Sequence, residues 1–300
     1  MKTDVMFRPQ LSSRHTLMHA AFLCSGLLIV AMGWESFHGW LGMLQSSEQS
    51  SSLWIIPLIS AFLIYERRQS IFASAGFAPH GLVFVAFGLG LYLASFGKPL
   101  ALARFDAIAL AILGLFTSLA GAFLICYGTD AGRKATFPLG FLLFAVPIPQ
   151  AILESLVRWL QWGSAAVVNF LFNLLSVPHL RDGLRFYLSS LNIEIASECS
   201  GIRSSFALLV LTVLLSYITL HSAWRRLVLI LTVIPLVLIK NGIRIVTLSL
   251  LAIYVDRSFI TGSLHRRGGF VFFGLALAAE GVLCWLLQRS EVGTQAPSGH

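Results

Sequence analysis

The sequence predicts an all-α integral membrane protein with about eight transmembrane helices, an amphipathic interfacial helix and a short outer hairpin. Three observations lead there. Hydrophobic residues make up 57% of the 300 residues and charged residues only 11%, against about 25% charged in soluble domains. Mean hydropathy is +0.82. Basic residues come in short pairs between apolar runs, Arg67-Arg68, Arg133-Lys134 and Arg225-Arg226, the placement that orients membrane helices. The net charge of +8 therefore reads as orientation chemistry. A nucleic-acid face would pool its cations on one patch, so no nucleic-acid partner is expected, only membrane lipids around the spans.

Apolar runs at about 17–34, 51–65, 79–96, 107–127, 136–150, 200–220, 227–254 and 268–287 approach the roughly 20 residues that a span needs. The first follows Lys2, Arg8 and Arg14 as a signal peptide's would, but no small-residue cleavage site ends it. It reads as a retained helix. The fifth is short and carries Pro138, Pro147 and Pro149. With the N-terminus inside, Lys2, Arg8, Arg14, Arg67, Arg68, Arg133 and Lys134 lie in the cytoplasm, against Lys98 and Arg104 outside. Trp34, Trp40 and Trp54 read as belt residues at the membrane boundary.

Residues 151–176 repeat apolar side chains at three- and four-residue spacing, broken by Glu154, Arg158, Gln161, Asn169 and Asn173. Such a pattern suits a helix lying in the outer interface. The segment 177–198 reads as soluble, with weakly alternating strands at 184–188 and 192–195 forming a hairpin around Ser189-Ser190-Leu191. Three parts follow: N-terminal helices over 1–135, a catalytic membrane core over 136–288 and a cytoplasmic tail over 289–300.

The hairpin delivers the chain to Ser197-Glu198-Cys199-Ser200-Gly201-Ile202-Arg203, at the start of the sixth span. Cys24, Cys126 and Cys284 lie within apolar runs, where a thiol acts as a small hydrophobe. Cys199 has polar neighbours, a helix start and Arg203 one turn on, conditions that favour a thiolate. If Cys199 is at the outer end of its helix, the chain runs inward to Arg225-Arg226 and returns. From Leu227 to Arg244 it climbs about 25 Å, which brings Arg244 to the level of Cys199. His265 follows in the outer loop. A thiolate, an imidazole that carries protons and a permanently charged guanidinium are the parts of acyl transfer. Plainer readings exist for each: a structural cysteine, an arginine snorkelling to the interface and a histidine in a solvated loop. Arg203 and Lys240 are expected as interface anchors or helpers, Glu198 as an ion-pair partner and Asn241 as a polar packing contact. No cysteine pair has metal-ligand spacing, and neither metal nor cofactor is expected.

At these residues the chain resembles the exosortase/archaeosortase family of membrane cysteine transpeptidases. The resemblance covers about 137–285. It rests on Phe137-Pro138-Leu139-Gly140-Phe141 through Val146-Pro147-Ile148-Pro149, on Glu198-Cys199-Ser200-Gly201-Ile202-Arg203, on Asn241-Gly242-Ile243-Arg244-Ile245 and on His265 ahead of the last helix. It implies nucleophile Cys199, general acid/base His265 and transition-state stabilisation by Arg244, with Arg203, Glu198 and Asn241 in support. It also implies substrates with a C-terminal sorting signal: a short motif such as Pro-Glu-Pro, a transmembrane helix and a basic cluster. The acceptor would be linked to lipid or polysaccharide, and the site would face outward from a cytoplasmic (inner) membrane. Many relatives carry a small residue where this chain has Glu198, and often an acidic one where it has Arg266. Purely hydrolytic proteolysis by the same residues is the nearest alternative. An anion transporter using Arg203, Lys240 and Arg244 is the alternative from another class, though the polar residues crowd into the second half only, unlike a repeated transporter.

Overall fold

A long apolar helix cannot leave backbone polar groups unpaired in lipid, so the chain answers its composition with helices almost throughout. The computed structural model describes residues 13–46, 54–74, 76–97, 102–196, 201–256, 258–261 and 269–295. The helices are α1 (Ser13–Met32), α2 (Trp34–Ser46), α3 (Ile55–Glu66), α4 (Arg68–Ile71), α5 (Gly81–Ser95), α6 (Arg104–Lys134), α7 (Thr136–Phe141), α8 (Gln150–Leu174), α9 (Ile202–Thr219), α10 (Ala223–Tyr254), α11 (Ser258–Thr261) and α12 (Gly269–Gln295). Strands β1 (His179–Asp182), β2 (Arg185–Leu188) and β3 (Asn192–Glu194) separate α8 from α9.

By length and apolarity, α1, α6, α9, α10 and α12 can each cross a membrane. A sixth candidate is the broken pair Thr136–Ala145 and Gln150–Leu174. The apolar helices α3 and α5 have 12 and 15 residues. They rise about 18 and 22 Å, short of a hydrocarbon core about 30 Å thick. The eight spans expected from the sequence are reached only if the pair, α3 and α5 all cross. Boundaries also move: α6 runs past both ends of the apolar run at 107–127, and α10 starts four residues before the run at 227–254 and ends with it.

The chain forms two compact units, Met1–Gln150 and Ala151–His300. In the first, α5 and α6 approach so closely that side chains are excluded from the seam. A Cβ added at Gly88 would stand 2.5 Å from the Gly114 carbonyl oxygen, and one at Gly121 would stand 2.7 Å from that of Gly81. The two glycines on each helix are seven residues apart, which returns them to one face. α1 lies on α6 through Gly33 against Leu115, the His19 Nδ1 to Tyr127 Oη contact at 2.8 Å, and the ring cluster of Phe22, Phe72, Phe123 and Tyr127. α6 breaks at Gly128, whose φ of 84° is left-handed. Gly76 N–H then donates to the Tyr127 carbonyl at 2.9 Å. Trp40 departs from its expected role as a belt residue. It is buried at 6% exposure, and its indole N–H donates to the Ala145 carbonyl at 3.1 Å. Trp34 and Trp54 remain exposed.

In the second unit the expected hairpin is a three-stranded antiparallel sheet in the order β1-β2-β3. β2 and β3 are the predicted pair, with Arg185 opposite Glu194, and β1 adds a strand with His179 opposite Leu188. Phe186 and Leu188 alternate inward on β2 and pack with Ala165, Val168 and Phe172 of α8, Ile195, and Val246 of α10. The sheet thus covers the C-terminal third of α10. α8 and α10 meet at glycines: Gly163 faces Leu238, and a Cβ at Gly242 would be 2.9 Å from the Val167 Cβ. α9 packs on both α10 and α12. At the α9–α10 turn, the buried Glu291 carboxylate accepts the N–H groups of His221 (3.1 Å) and Ser222 (2.6 Å).

Gly88→Ala is expected to destabilise the protein by about 1–3 kcal/mol, the usual cost of overpacking. Gly90 has nothing within 4 Å of an added Cβ, so Gly90→Ala should be neutral or stabilising through helix propensity. Melting of the two detergent-solubilised variants measures the contrast.

Candidate functional site

α9 opens on a residue that only glycine suits. Gly201 is its N-cap, in the left-handed region at φ 69°. Its Cα faces α10, because an added Cβ would stand 3.2 Å from Asn241 Oδ1 and 3.6 Å from Lys240 Nζ. The Gly201 carbonyl accepts the Ser205 N–H at 2.9 Å and the hydroxyls of Ser204 (3.0 Å) and Ser205 (2.7 Å). The first turn of α9 is therefore fixed by its own serines.

α10 supplies the other wall. Lys240 and Asn241 are buried, at 7% and 1% exposure. Lys240 Nζ donates to Ser204 Oγ at 2.5 Å, so this hydroxyl accepts from α10 while donating within α9. Asn241 Nδ2 donates to Ser164 Oγ of α8 at 2.9 Å, and Ser164 is wholly buried. One turn earlier on α8, Gln161 Nε2 donates to the Ile195 carbonyl at 2.8 Å. This ties down the chain on the other side of residues 197–200.

Arg244 lies one turn beyond Lys240 and is half-buried. Counting from Ala223, it stands about 30 Å along α10. That is close to the thickness of a hydrocarbon core, and it is where the sheet begins to cover the helix. Arg244 is thus inside a helix that continues to Tyr254, about 15 Å further on. Arg203 is exposed in the first turn of α9. Cys199, Glu198 and His265 lie outside the described residues. Of the residues picked out in the sequence, the fold brings Asn241 and Lys240 against the α9 N-terminus that bears Arg203, with Arg244 one turn further along α10. Asn241 makes the polar packing contact expected of it. Lys240 is buried against α9 and does not sit at an interface as an anchor. Ser164 and Ser204 gave no signal in the sequence, whereas a lysine in the middle of a 32-residue apolar helix did.

Such a patch, cations and amides gathered where three helices of a membrane protein meet, defines a membrane protein with a built polar site. Intramembrane ionisable groups are costly and are retained for function. A model of the transmembrane exosortase family matches residues 34–280. The chain belongs to that family. The match takes in the N-terminal helices as well as the stretch from 137 onward that carries the motifs. Membership suggests a membrane enzyme that processes sorting signals. No curated protein and no solved structure matches the chain.

Gly201→Ala is expected to lower thermal stability more than Gly183→Ala does. Both glycines are left-handed, at φ 69° and 61°, and each substitution carries about 1–2 kcal/mol of backbone cost. Only at Gly201 does the new methyl crowd polar groups, since at Gly183 it meets just Trp162 Cη2 at 4.0 Å. Melting curves of the purified variants give the difference.

Proposed function

We propose that the protein is a membrane cysteine transpeptidase that cuts C-terminal sorting signals of exported proteins and transfers the new carboxyl end to an acceptor. In this reading 136–288 is the catalytic core, 1–135 its membrane scaffold and 289–300 a cytoplasmic tail. Cys199 is the nucleophile, His265 the general acid/base and Arg244 the oxyanion partner, with Arg203, Glu198 and Asn241 in support. The observation that carries the reading is the seat of Gly201 against Lys240 and Asn241, one turn of α10 from Arg244. Two peptide units separate Gly201 from Cys199, at most about 7.6 Å between Cα atoms. That short separation supports a role for Cys199 together with the α10 residues that face Gly201.

The chemistry follows from those parts. His265 takes the thiol proton, and the sulfur adds to the carbonyl carbon at the recognition motif. The carbonyl π pair moves to oxygen, where the guanidinium receives the charge. Collapse breaks the C–N bond, His265 returns the proton to the leaving amine, and a thioester remains on Cys199. An acceptor amine or hydroxyl then adds to the thioester, passes its proton to His265 and expels the thiolate. Water in that role would give hydrolysis. A substrate anchored by its own transmembrane helix calls for a thiol at the membrane boundary, and the outer face of the cytoplasmic membrane suits exported cargo. Arg244, about one hydrocarbon thickness along α10, is consistent with that depth.

Cys199→Ala is expected to abolish processing, while Cys24→Ala, Cys126→Ala and Cys284→Ala retain it. Arg244→Lys should insert normally yet process at least about a hundredfold more slowly, the scale of one lost oxyanion donor, because lysine lacks the planar fork. Arg203→Lys should be milder. Processing by a strain carrying the Cys199→Ala enzyme would end the nucleophile assignment. Product mass separates transfer from hydrolysis, since only transfer leaves an added moiety on the cleaved end.

A further inference from the structure

Glu280 is a carboxyl in the middle of an apolar helix. It is 1% exposed and lies within the part of α12 that is apolar enough to cross a membrane. A charge buried there is costly unless it is matched. Among the described residues no cation matches it, since the ion pairs there use Glu194 and Glu291. The nearest charged groups of the packed helices stand well away along their own axes. Lys240 and Arg226 of α10 are about 12 and 9 Å from Thr232, Arg203 of α9 is about 14 Å from Thr212, and Arg289 of α12 is about 14 Å from Glu280. Arg158 of α8, the helix that adds Leu160 to the same core, is exposed.

The polar groups at its level are hydroxyls. Both Glu280 oxygens stand 3.4 Å from Thr232 Oγ of α10. That hydroxyl has one proton and gives it to the Leu229 carbonyl at 2.7 Å. A carboxylate would thus receive no strong hydrogen bond from Thr232. On α9 the same level holds Thr212. One core cluster joins Leu208, Val233, Val237 and Ala276, and the next joins Leu220, Leu229 and Cys284. Thr212 is one turn on from Leu208 and Glu280 one turn on from Ala276, so both fall between the clusters, with Thr232. Thr212 is wholly buried, and its hydroxyl has no partner among the described residues. Ser216 and Thr219 of the same helix donate back to the carbonyls of Val213 and Leu215, whereas Thr212 does not. A buried, uncommitted hydroxyl therefore stands level with a carboxyl that lacks a donor.

We propose that Glu280 is held as the carboxylic acid and is a positioning residue that ties α9, α10 and α12 together. Its O–H donates to Thr232 Oγ, and its other oxygen accepts the proton of Thr212, directly or through one buried water. The Thr212 hydroxyl and both carboxyl oxygens are then met without a charge. The helices so tied are those that bear the proposed machinery. α9 begins three residues after Cys199, α10 carries Arg244, and α12 begins four residues after His265. The positioning role rests on the reading of those residues as the catalytic set, and the hydrogen-bonded acid does not.

Infrared spectroscopy of the full-length protein in nanodiscs at neutral pH tests the acid directly. A carboxylic acid C=O band is expected in the unsubstituted protein and absent in Glu280→Gln. Thr212→Val keeps the side-chain shape and removes the hydroxyl, so it should move that band to higher frequency, while Thr212→Ser should leave it in place. Glutamine supplies an N–H donor and a carbonyl acceptor but cannot ionise. Glu280→Gln should therefore melt and process a sorting-signal substrate much as the unsubstituted protein does. Glu280→Leu should melt lower and process more slowly, by up to about a hundredfold where catalytic groups are displaced. The spectra of the unsubstituted and Thr212 proteins keep the test open if Glu280→Leu fails to fold. Identical spectra for the unsubstituted and Glu280→Gln proteins would overturn the acid. So would lost processing in a Glu280→Gln protein that melts normally, because the site would then need a carboxylate. A band unmoved in Thr212→Val would overturn the three-helix tie, and unchanged processing in a folded Glu280→Leu protein would overturn the positioning role. Processing by Cys199→Ala reports separately on the nucleophile: the acid band together with surviving processing leaves the tie standing and removes its catalytic meaning.

Discussion

Polar groups inside a membrane protein must be satisfied by neighbouring helices, because lipid offers no hydrogen bonds. In the second unit that constraint falls on two consecutive residues of α10. The Lys240 ammonium and the Asn241 amide point to different helices, one to Ser204 of α9 and the other to Ser164 of α8. A single stretch of α10 thereby fixes both partners. The start of α9, the body of α8 and the turn that carries Arg244 all take their positions from it. Close approach is what makes these short bonds reachable, and Gly163, Gly201 and Gly242 permit it by having no side chain at the contacts.

The first unit meets the same constraint differently. Its central helices α5 and α6 have no buried cation between them, and backbone approaches backbone across a seam of glycines. In lipid such surfaces are held by close packing, since lipid tails are as apolar as leucine and nothing drives helices together merely to escape water. Polar ties are placed at the margins: Tyr92 donates to the Met32 carbonyl, Ser60 to the Pro138 carbonyl and Trp40 to the Ala145 carbonyl. The first unit thus relies on a close-packed seam with polar ties at its margins, while in the second Lys240, Asn241, Ser164 and Ser204 tie three helices together.

The small sheet packs with α8 and α10 in the core of the second unit. It covers α10 beyond Arg244 and, through Ile195, anchors the strand that leads toward Cys199. Gln161 and the sheet thus fix the chain as far as Ile195, and Gly201 and its serines fix the start of α9.

Much of this was legible along the chain. Length and apolarity marked the long helices. Alternation marked the hairpin at β2 and β3, and the Cys, Arg and His motifs pointed to the family that the match over 34–280 shows. The sequence by itself determined where apolar segments begin and end and which residues are too polar for them, because those properties belong to single residues and their spacing. The tertiary structure alone decided that Trp40 is core while Trp34 and Trp54 are not, that β1 joins the sheet, and that Lys240 turns inward to Ser204. It also decided which glycines form seams. The physical reason is that lipid and protein interior are equally apolar, so a hydrophobic pattern reports that a face avoids water without saying which surface covers it. Only the fold supplies the partner, and for Lys240 and Asn241 the partner defines the site.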